Sequence, residues 1–180
     1  TIYEYFEDAA HKFSKLTAIE YFGKKTTYNS LLEKIRICAN AFNNYGIGKN
    51  DIVTICMPNT PEAIIAFYAL NKIGAIANMI HPLSAEKEIK NYLINNHTKL
   101  LIMIDICYEK VNNMIDETKV EKTIVVSAKD SMPLYLNIGY QLTQGRKILK
   151  PSITDQRYIS WHDFFNDGKT SKNIQTMKRG

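Results

Sequence analysis

The stretch DIVTICMPNTPEAIIAFYALNKIGAIANMI, Asp51 to Ile80, reads as buried strand, helix, buried strand in direct succession. Ile52 to Met57 and Ala75 to Ile80 are near-continuous apolar runs, the mark of strands covered on both faces. Between them lies clear helix punctuation: Thr60 as cap, Pro61 at the first helical position, Glu62 favourable to the helix dipole, and Gly74 past the end. The helix body, Ala63 to Leu70, is apolar nearly all round, so it is expected to be enclosed by the sheet on one side and more protein on the other. Two further apolar runs follow, Leu100 to Ile104 and Thr123 to Val126, and the four runs start 23, 25 and 23 residues apart. Each gap holds a helical pattern. Ser84 is expected to cap one, with Ala85, Ile89, Tyr92 and Leu93 as its stripe; Tyr108, Val111 and Ile115 line the next. Strands alternating with helices at this period predict an α/β fold, a mostly parallel sheet with helices on both faces. The period is one of structure, without the repeated sequence of a solenoid.

Outward from this centre the chain is less regular. Ile2, Tyr5, Phe6, Ala9 and Phe13 predict one face of an N-terminal amphipathic helix. A hairpin is expected from Thr17 to Phe22 and Lys25 to Tyr28, turning on Gly23-Lys24. Leu31, Ile35, Cys38, Phe42 and Tyr45 then predict a helix, capped by Thr27 or by Ser30 in the pattern Ser30-x-x-Glu33, and ended by Gly46 or Gly48. After the sheet, Leu134, Ile138 and Leu142 follow Pro133 in a helical pattern that closes at Gly145-Arg146-Lys147. Pro151 breaks the chain, and Ser160-x-x-Asp163 predicts a short capped helix around Trp161. Residues 1–166 are expected to form one incomplete subdomain, and 167–180 a mobile polar, basic tail or linker.

Composition narrows the class. The chain has 180 residues, 45% hydrophobic and 23% charged, which excludes collagen, coiled coil, disorder and a disulfide miniprotein. The formal charge is +5, but residues 1–139 are balanced and the excess falls in the last 41 residues, with only four Arg in the chain. No nucleic-acid partner is expected from so displaced a charge. Cys38, Cys56 and Cys107 are odd in number and widely spaced, as buried thiols in a reducing compartment are. The most apolar stretch, Ala63 to Ile80, is broken by Asn71, Lys72 and Asn78, so neither a membrane span nor a signal peptide is expected. These features give the expectation of a cytoplasmic protein. A first residue of Thr1 gives the expectation that the chain begins inside a longer product.

The search for chemistry yields little. Gly168-Lys169-Thr170 invites a P-loop reading, but Asp163 stands where that motif requires Gly, and no buried strand precedes it. Dinucleotide-binding, serine-hydrolase and zinc-protease motifs are absent. His11, His81, His97 and His162 lack ligand spacing. His81, Asn59, Asp105 and Ser127 lie where strands end, the edge at which open α/β sheets bind ligands, but turn and cap duty accounts for them. Met132 to Lys150 could lie on a membrane surface or an acyl chain, although an ordinary packed helix explains it better. No catalytic, cofactor-binding or metal-ligating residue is assigned.

An ordered set of motifs nevertheless resembles the N-terminal end of the acyl-adenylate-forming superfamily, which includes acyl-CoA synthetases, luciferases and peptide-synthetase adenylation domains. Thr17 to Phe42 is similar to the early hairpin and T-Y-x-E-L helix of that superfamily, matching at Thr27-Tyr28 but with Ser30 for the acid. Tyr45 to Leu93 is similar to its succession G-V-x-x-G-D-x-V, P-N-x-P-E and G-A-x-x-x-x-x-x-P-x-x-x-x-E-I. Gly46, Gly48, Asp51, Pro58, Asn59, Pro61, Glu62, Gly74, Ala75, Pro82 and Glu88 carry it. The resemblance covers Thr1 to Val126 and implies the N-terminal part of an AMP-forming acid–thiol ligase. Such an enzyme activates a carboxylic acid as acyl-AMP, releases pyrophosphate and passes the acyl group to a thiol, most often coenzyme A. It implies ATP, Mg and CoA for the parent enzyme and none for this piece, which lacks the Ser/Thr/Gly-rich loop ending in Pro-Lys and the later catalytic Lys. RYISWHDFF and the Met132 to Lys150 insertion lean toward bacterial fatty-acid–CoA ligases. The alternatives are an adenylation domain of another acyl-activating enzyme, a free-standing flavodoxin-like or receiver-like domain, and an interaction module using the basic tail.

Overall fold

The computed structural model describes residues 1–127 and 155–170. The expected helix at Leu134 to Lys147, and the Met132 to Lys150 surface, lie outside them. Helix α1 spans Ile2–Lys12 and opens with a capping box between Thr1 and Glu4. Its buried face is Tyr3, Phe6 and Ala10, and Tyr5 is 82% exposed. This corrects the expected stripe of Ile2, Tyr5, Phe6, Ala9 and Phe13, of which only Phe6 is buried. Two apolar stripes compete on this helix, and polar contacts choose between them. The Tyr3 amide donates to Asn71 Oδ1 at 2.8 Å, its hydroxyl donates to Glu7 at 2.7 Å, and the Lys72 ammonium lies 4.4 Å from its ring centre.

Strands β1 (Thr17–Tyr21) and β2 (Lys24–Thr27) form the hairpin. Its turn is Phe22-Gly23, one residue earlier than expected, with φ of 49° and 78°. Two consecutive left-handed residues give the twist that a two-residue hairpin needs, so the register moves to supply them. Helix α2 (Tyr28–Asn44) is capped by Thr27, whose hydroxyl accepts from the Ser30 amide. It buries Leu31, Ile35, Cys38 and Phe42 as expected, and also Leu32, Ala39 and Ala41, because it has neighbours on several sides.

Next come β3 (Ile52–Cys56), α3 (Pro61–Ile73) and β4 (Ile76–Ile80). The Thr60 hydroxyl accepts from the Ala63 amide, and Gly74 closes α3 with φ 75°, a left-handed conformation that suits glycine. Helix α4 (Glu86–Asn95) begins after Ala85 without a side-chain cap, so Ser84 does not cap it. Strand β5 (Leu100–Ile104), fully buried, leads through a 3-10 turn at Asp105–Cys107 into α5 (Tyr108–Met114), a second such turn at Ile115–Glu117, and β6 (Lys122–Val126). The described chain ends with β7 (Tyr158–Ser160) and helix α6 (Trp161–Thr170).

The sheet runs β4-β3-β5-β6-β7, parallel throughout. Right-handed crossovers put α3 on one face and α4 and α5 on the other, since the chain steps outward from β3 to β4 and then back past β3 to β5. Helix α2 lies between α3 and α6 and carries α1. Thr54 and Thr98 share a buried hydrogen bond of 2.6 Å, and the Asn78 amide donates to Thr54 at 3.0 Å, tying β4 inward.

The helix at Trp161 continues through Thr170, four residues past the boundary expected at 166. Tyr45 donates to Asp167 at 2.7 Å, the Asn44 side chain donates to the Asp167 carbonyl at 3.1 Å, and Phe164 packs on Phe42 and Tyr45. The start of the polar segment is therefore part of the packed unit, held by contacts that its composition conceals.

Candidate functional site at the carboxyl edge of the sheet

Strand order reverses between β3 and β5, and in open α/β sheets the crevice at such a switch point receives ligands. Here that crevice is closed by this chain's own side chains. Cys56 and Met57 at the end of β3 are buried, and so is Cys107 in the turn after β5. The Cys107 thiol donates to the Pro82 carbonyl at 3.3 Å, joining the loops after β4 and β5. The neighbouring Cys107 thiol, together with burial, pushes the Cys56 thiol up. Burial pushes the Cys38 thiol well up. All three cysteines are free and buried.

The sequence-marked residues at this edge divide. Asp105 and Ser127 come together, the Ser127 hydroxyl donating to Asp105 Oδ2 at 2.9 Å. His81 is exposed, and its Nδ1 accepts from the Leu83 amide at 3.2 Å, which is turn duty. Asn59 is exposed beside the Thr60 cap. The four histidines stay apart. His97 holds φ 50° just beyond α4, where the Thr98 amide closes back on the Leu93 carbonyl, and His162 contacts Asp163 and Asn166 on α6.

Each helix starting at this edge has an acid in its first turn: Glu62 in α3, Glu86 and Glu88 in α4, Glu109 in α5 and Asp163 in α6. Carboxylates there take up the favourable end of the dipole and repel a second anion. Pro61 also removes one amide donor from α3. Among the described residues no group of three or more His, Cys, Asp or Glu could hold a metal ion. These residues do not fit the phosphates of ATP or a bound Mg ion.

What the motif residues do instead is hold the scaffold. Asp51 accepts from the Gly48 amide at 2.8 Å and pairs with Lys99 at 3.2 Å, while Lys99 donates to the Gly46 carbonyl at 2.7 Å. One carboxylate thus fixes the loop between α2 and β3 and ties it to β5. Glu62 is buried and sits in the electrostatic reach of Lys34 on α2 and Tyr21 in the hairpin. Gly168, from the rejected P-loop match, serves packing: a β-carbon there would stand 2.1 Å from the Ile37 carbonyl oxygen. No sequence signal short of the packing itself marks that need.

Sheet order alone also suits the flavodoxin-like rival, so the decision falls to comparison. The sequence profile of the AMP-binding enzyme family matches residues 6–159. The chain belongs to that family. It is similar to a long-chain-fatty-acid–CoA ligase of Bacillus subtilis, 30% identical over 82% of this chain and 26% of that protein. It is also similar to an acetyl-coenzyme A synthetase of Mesorhizobium japonicum, 30% identical over 88% of this chain and 24% of that protein. Among solved structures, the coronafacic acid ligase of Pectobacterium brasiliense matches 91% of the chain and 29% of its own at a TM-score of 0.72 and 21% identity, a likeness of fold. The chain spans about a quarter of the length of the curated relatives it matches.

Proposed function

We propose that this chain is the N-terminal portion of an AMP-forming acid–thiol ligase. The whole enzyme activates a carboxylic acid, a fatty acid on the strength of the Bacillus relative, as acyl-AMP and passes the acyl group to CoA, in the cytoplasm. The observation that carries this reading is the family match over residues 6–159 in a chain that spans only a quarter of its relatives. ATP, Mg and CoA belong to the whole enzyme. The packed unit here, running at least to Thr170, supplies the parallel sheet and its two helical layers, and residues beyond it lead toward the adenylate-binding loop.

The chain by itself is inactive on this reading. Among the described residues, acid-bearing helix starts and the buried Cys56, Met57 and Cys107 at the strand ends offer nothing to cradle a triphosphate. Among the described residues no helix is long and apolar enough to cross a membrane. Isothermal titration of the 180-residue chain with ATP, MgCl2 and palmitate tests its inactivity. No heat beyond dilution is expected, and saturable binding of ATP contradicts it.

A further inference from the structure

Three loops at the carboxyl edge meet on a pair of thiols. Cys56 is the last residue of β3, and its register partners are Ile80 on β4 and Met103 on β5. Cys107 stands beyond Met103, in the turn that leads into α5, and its thiol donates to the Pro82 carbonyl just past Ile80. Strand β3 lies between β4 and β5, so a bond from the turn after β5 to the loop after β4 crosses the end of β3, where Cys56 sits. Both thiols are fully buried. A buried cysteine otherwise packs as a small apolar side chain, and two of them meeting at one strand end add a chemistry that packing does not use. Lys110 on α5 donates to the Ser84 carbonyl at 3.1 Å, and its charge favours the thiolate at both sulfurs. Ile106, beside Cys107, is 45% exposed, so this three-residue turn stands at the surface and can open without disturbing the sheet. Cys38 differs. It lies on α2, in the helical layer across the sheet, where burial raises its thiol well above the ordinary value.

We propose that Cys56 and Cys107 are a reversible redox pair, closing to an intramolecular disulfide under a hydroperoxide and reopening under a dithiol. Cys107, on the surface turn, reacts first. Its thiolate attacks the peroxide, the O–O bond breaks, sulfur keeps one oxygen as a sulfenic acid, and the other leaves with a proton as water. The Cys56 thiolate then attacks the Cys107 sulfur. The S–S bond forms, the S–O bond breaks, and the departing hydroxide takes up a proton as a second water. Two thiols are oxidised, one peroxide is reduced, and the protein loses two hydrogens. Closure also removes the hydrogen that the Pro82 carbonyl accepts, so the loop after β4 is released while the end of β3 is joined to the turn after β5. The oxidation state of the pair thereby sets the shape of the edge at which open α/β sheets bind ligands, whether or not the ligase reading holds.

Peptide mapping by mass spectrometry tests this. The reduced 180-residue chain is treated with hydrogen peroxide, quenched with N-ethylmaleimide and digested. The expected product is a peptide linking Cys56 to Cys107, two hydrogens lighter than its parts, with Cys38 losing its thiol at least about tenfold more slowly. Its rate of formation should not depend on protein concentration, and dithiothreitol should restore all three thiols. Cys56→Ala keeps the first step and removes the second, so dimedone, a trap for sulfenic acids, is expected to label Cys107 in that variant. The wild-type map decides without it should the variant fail to fold. A linkage through Cys38, or one between chains that grows with protein concentration, overturns the pair. So does Cys107 oxidised to the sulfinic acid while Cys56 is still alkylated, and so does a folded chain whose three thiols all survive the peroxide.

Discussion

Gly168 on α6 stands so close to the Ile37 carbonyl on α2 that a β-carbon in place of its hydrogen would lie 2.1 Å from that oxygen. The same carbon would lie 3.0 Å from the Ala41 amide nitrogen. Glycine is what lets the two backbones touch, and Phe164 on the same helix packs on Phe42 and Tyr45 at the end of α2. Gly168→Ala should therefore force α6 away and destabilise the fold by about 1–3 kcal/mol. Urea unfolding measures it. Lys169→Ala, which would be severe in a nucleotide-binding loop, should change stability by less than about 0.5 kcal/mol, since its ammonium only reaches Asn166 and the Phe165 ring.

The same seam has an alkaline limit. Burial, with the hydrogen bond to Asp167, pushes the Tyr45 hydroxyl from 10.0 up to about 12. A group whose pKa is raised by folding contributes stability that is complete below its unfolded value and is lost as pH rises through the folded one. Stability should fall between about pH 10 and 12, and Tyr45→Phe should flatten that part of the curve. Chemical denaturation at stepped pH reads both.

The clamp on α1 has an acid limit. Burial raises the Glu7 carboxyl, but hydrogen bonds from Tyr3 and Arg36 and the charge of Lys72 overcome it and hold the pKa below its ordinary 4.5. A depressed carboxylate stabilises above its unfolded value and loses that contribution as pH falls through the folded one. Glu7→Gln should weaken the protein at neutral pH and remove part of the loss seen below about pH 4.5. Melting temperatures of both proteins across that range check it.

Asp51 joins a loop to a strand through two bonds, from the Gly48 amide and the Lys99 ammonium. Asp51→Ala should cost about 1–2 kcal/mol, and Lys99→Met a smaller part of it, because Gly48 keeps its acceptor. A double-mutant cycle on the two positions gives the coupling.

These contacts show which parts of the fold were legible. Strands β3, β5 and β6 were readable because burial on both faces writes itself as continuous apolar runs, and α3 because Thr60, Pro61 and Gly74 mark its ends chemically; β4 carries the same apolar run, but the expected cover on both faces is missing there, Ile76 and Met79 being half exposed at the sheet edge. The face of α1 was not, since Tyr3 and Tyr5 have equal apolar appeal and the choice lies with Asn71 and Lys72, far along the chain. The turn slipped by one residue because Phe22 accepts a left-handed conformation that composition assigns to glycine. Strand β7 is three residues long with a polar end, too short to show a period. At the candidate site the family motifs were legible as an ordered set, yet Asp51 and Glu62 turn out to hold helices and loops. Their roles depend on partners that spacing does not reveal.

The direct test of the ligase reading is acid-dependent ATP–pyrophosphate exchange, run with palmitate on the 180-residue chain and on the full-length product side by side. Exchange by the full-length protein and none by the short chain is the expected result. Turnover by the 180 residues alone, or a full-length protein that exchanges with no carboxylic acid offered, would contradict it.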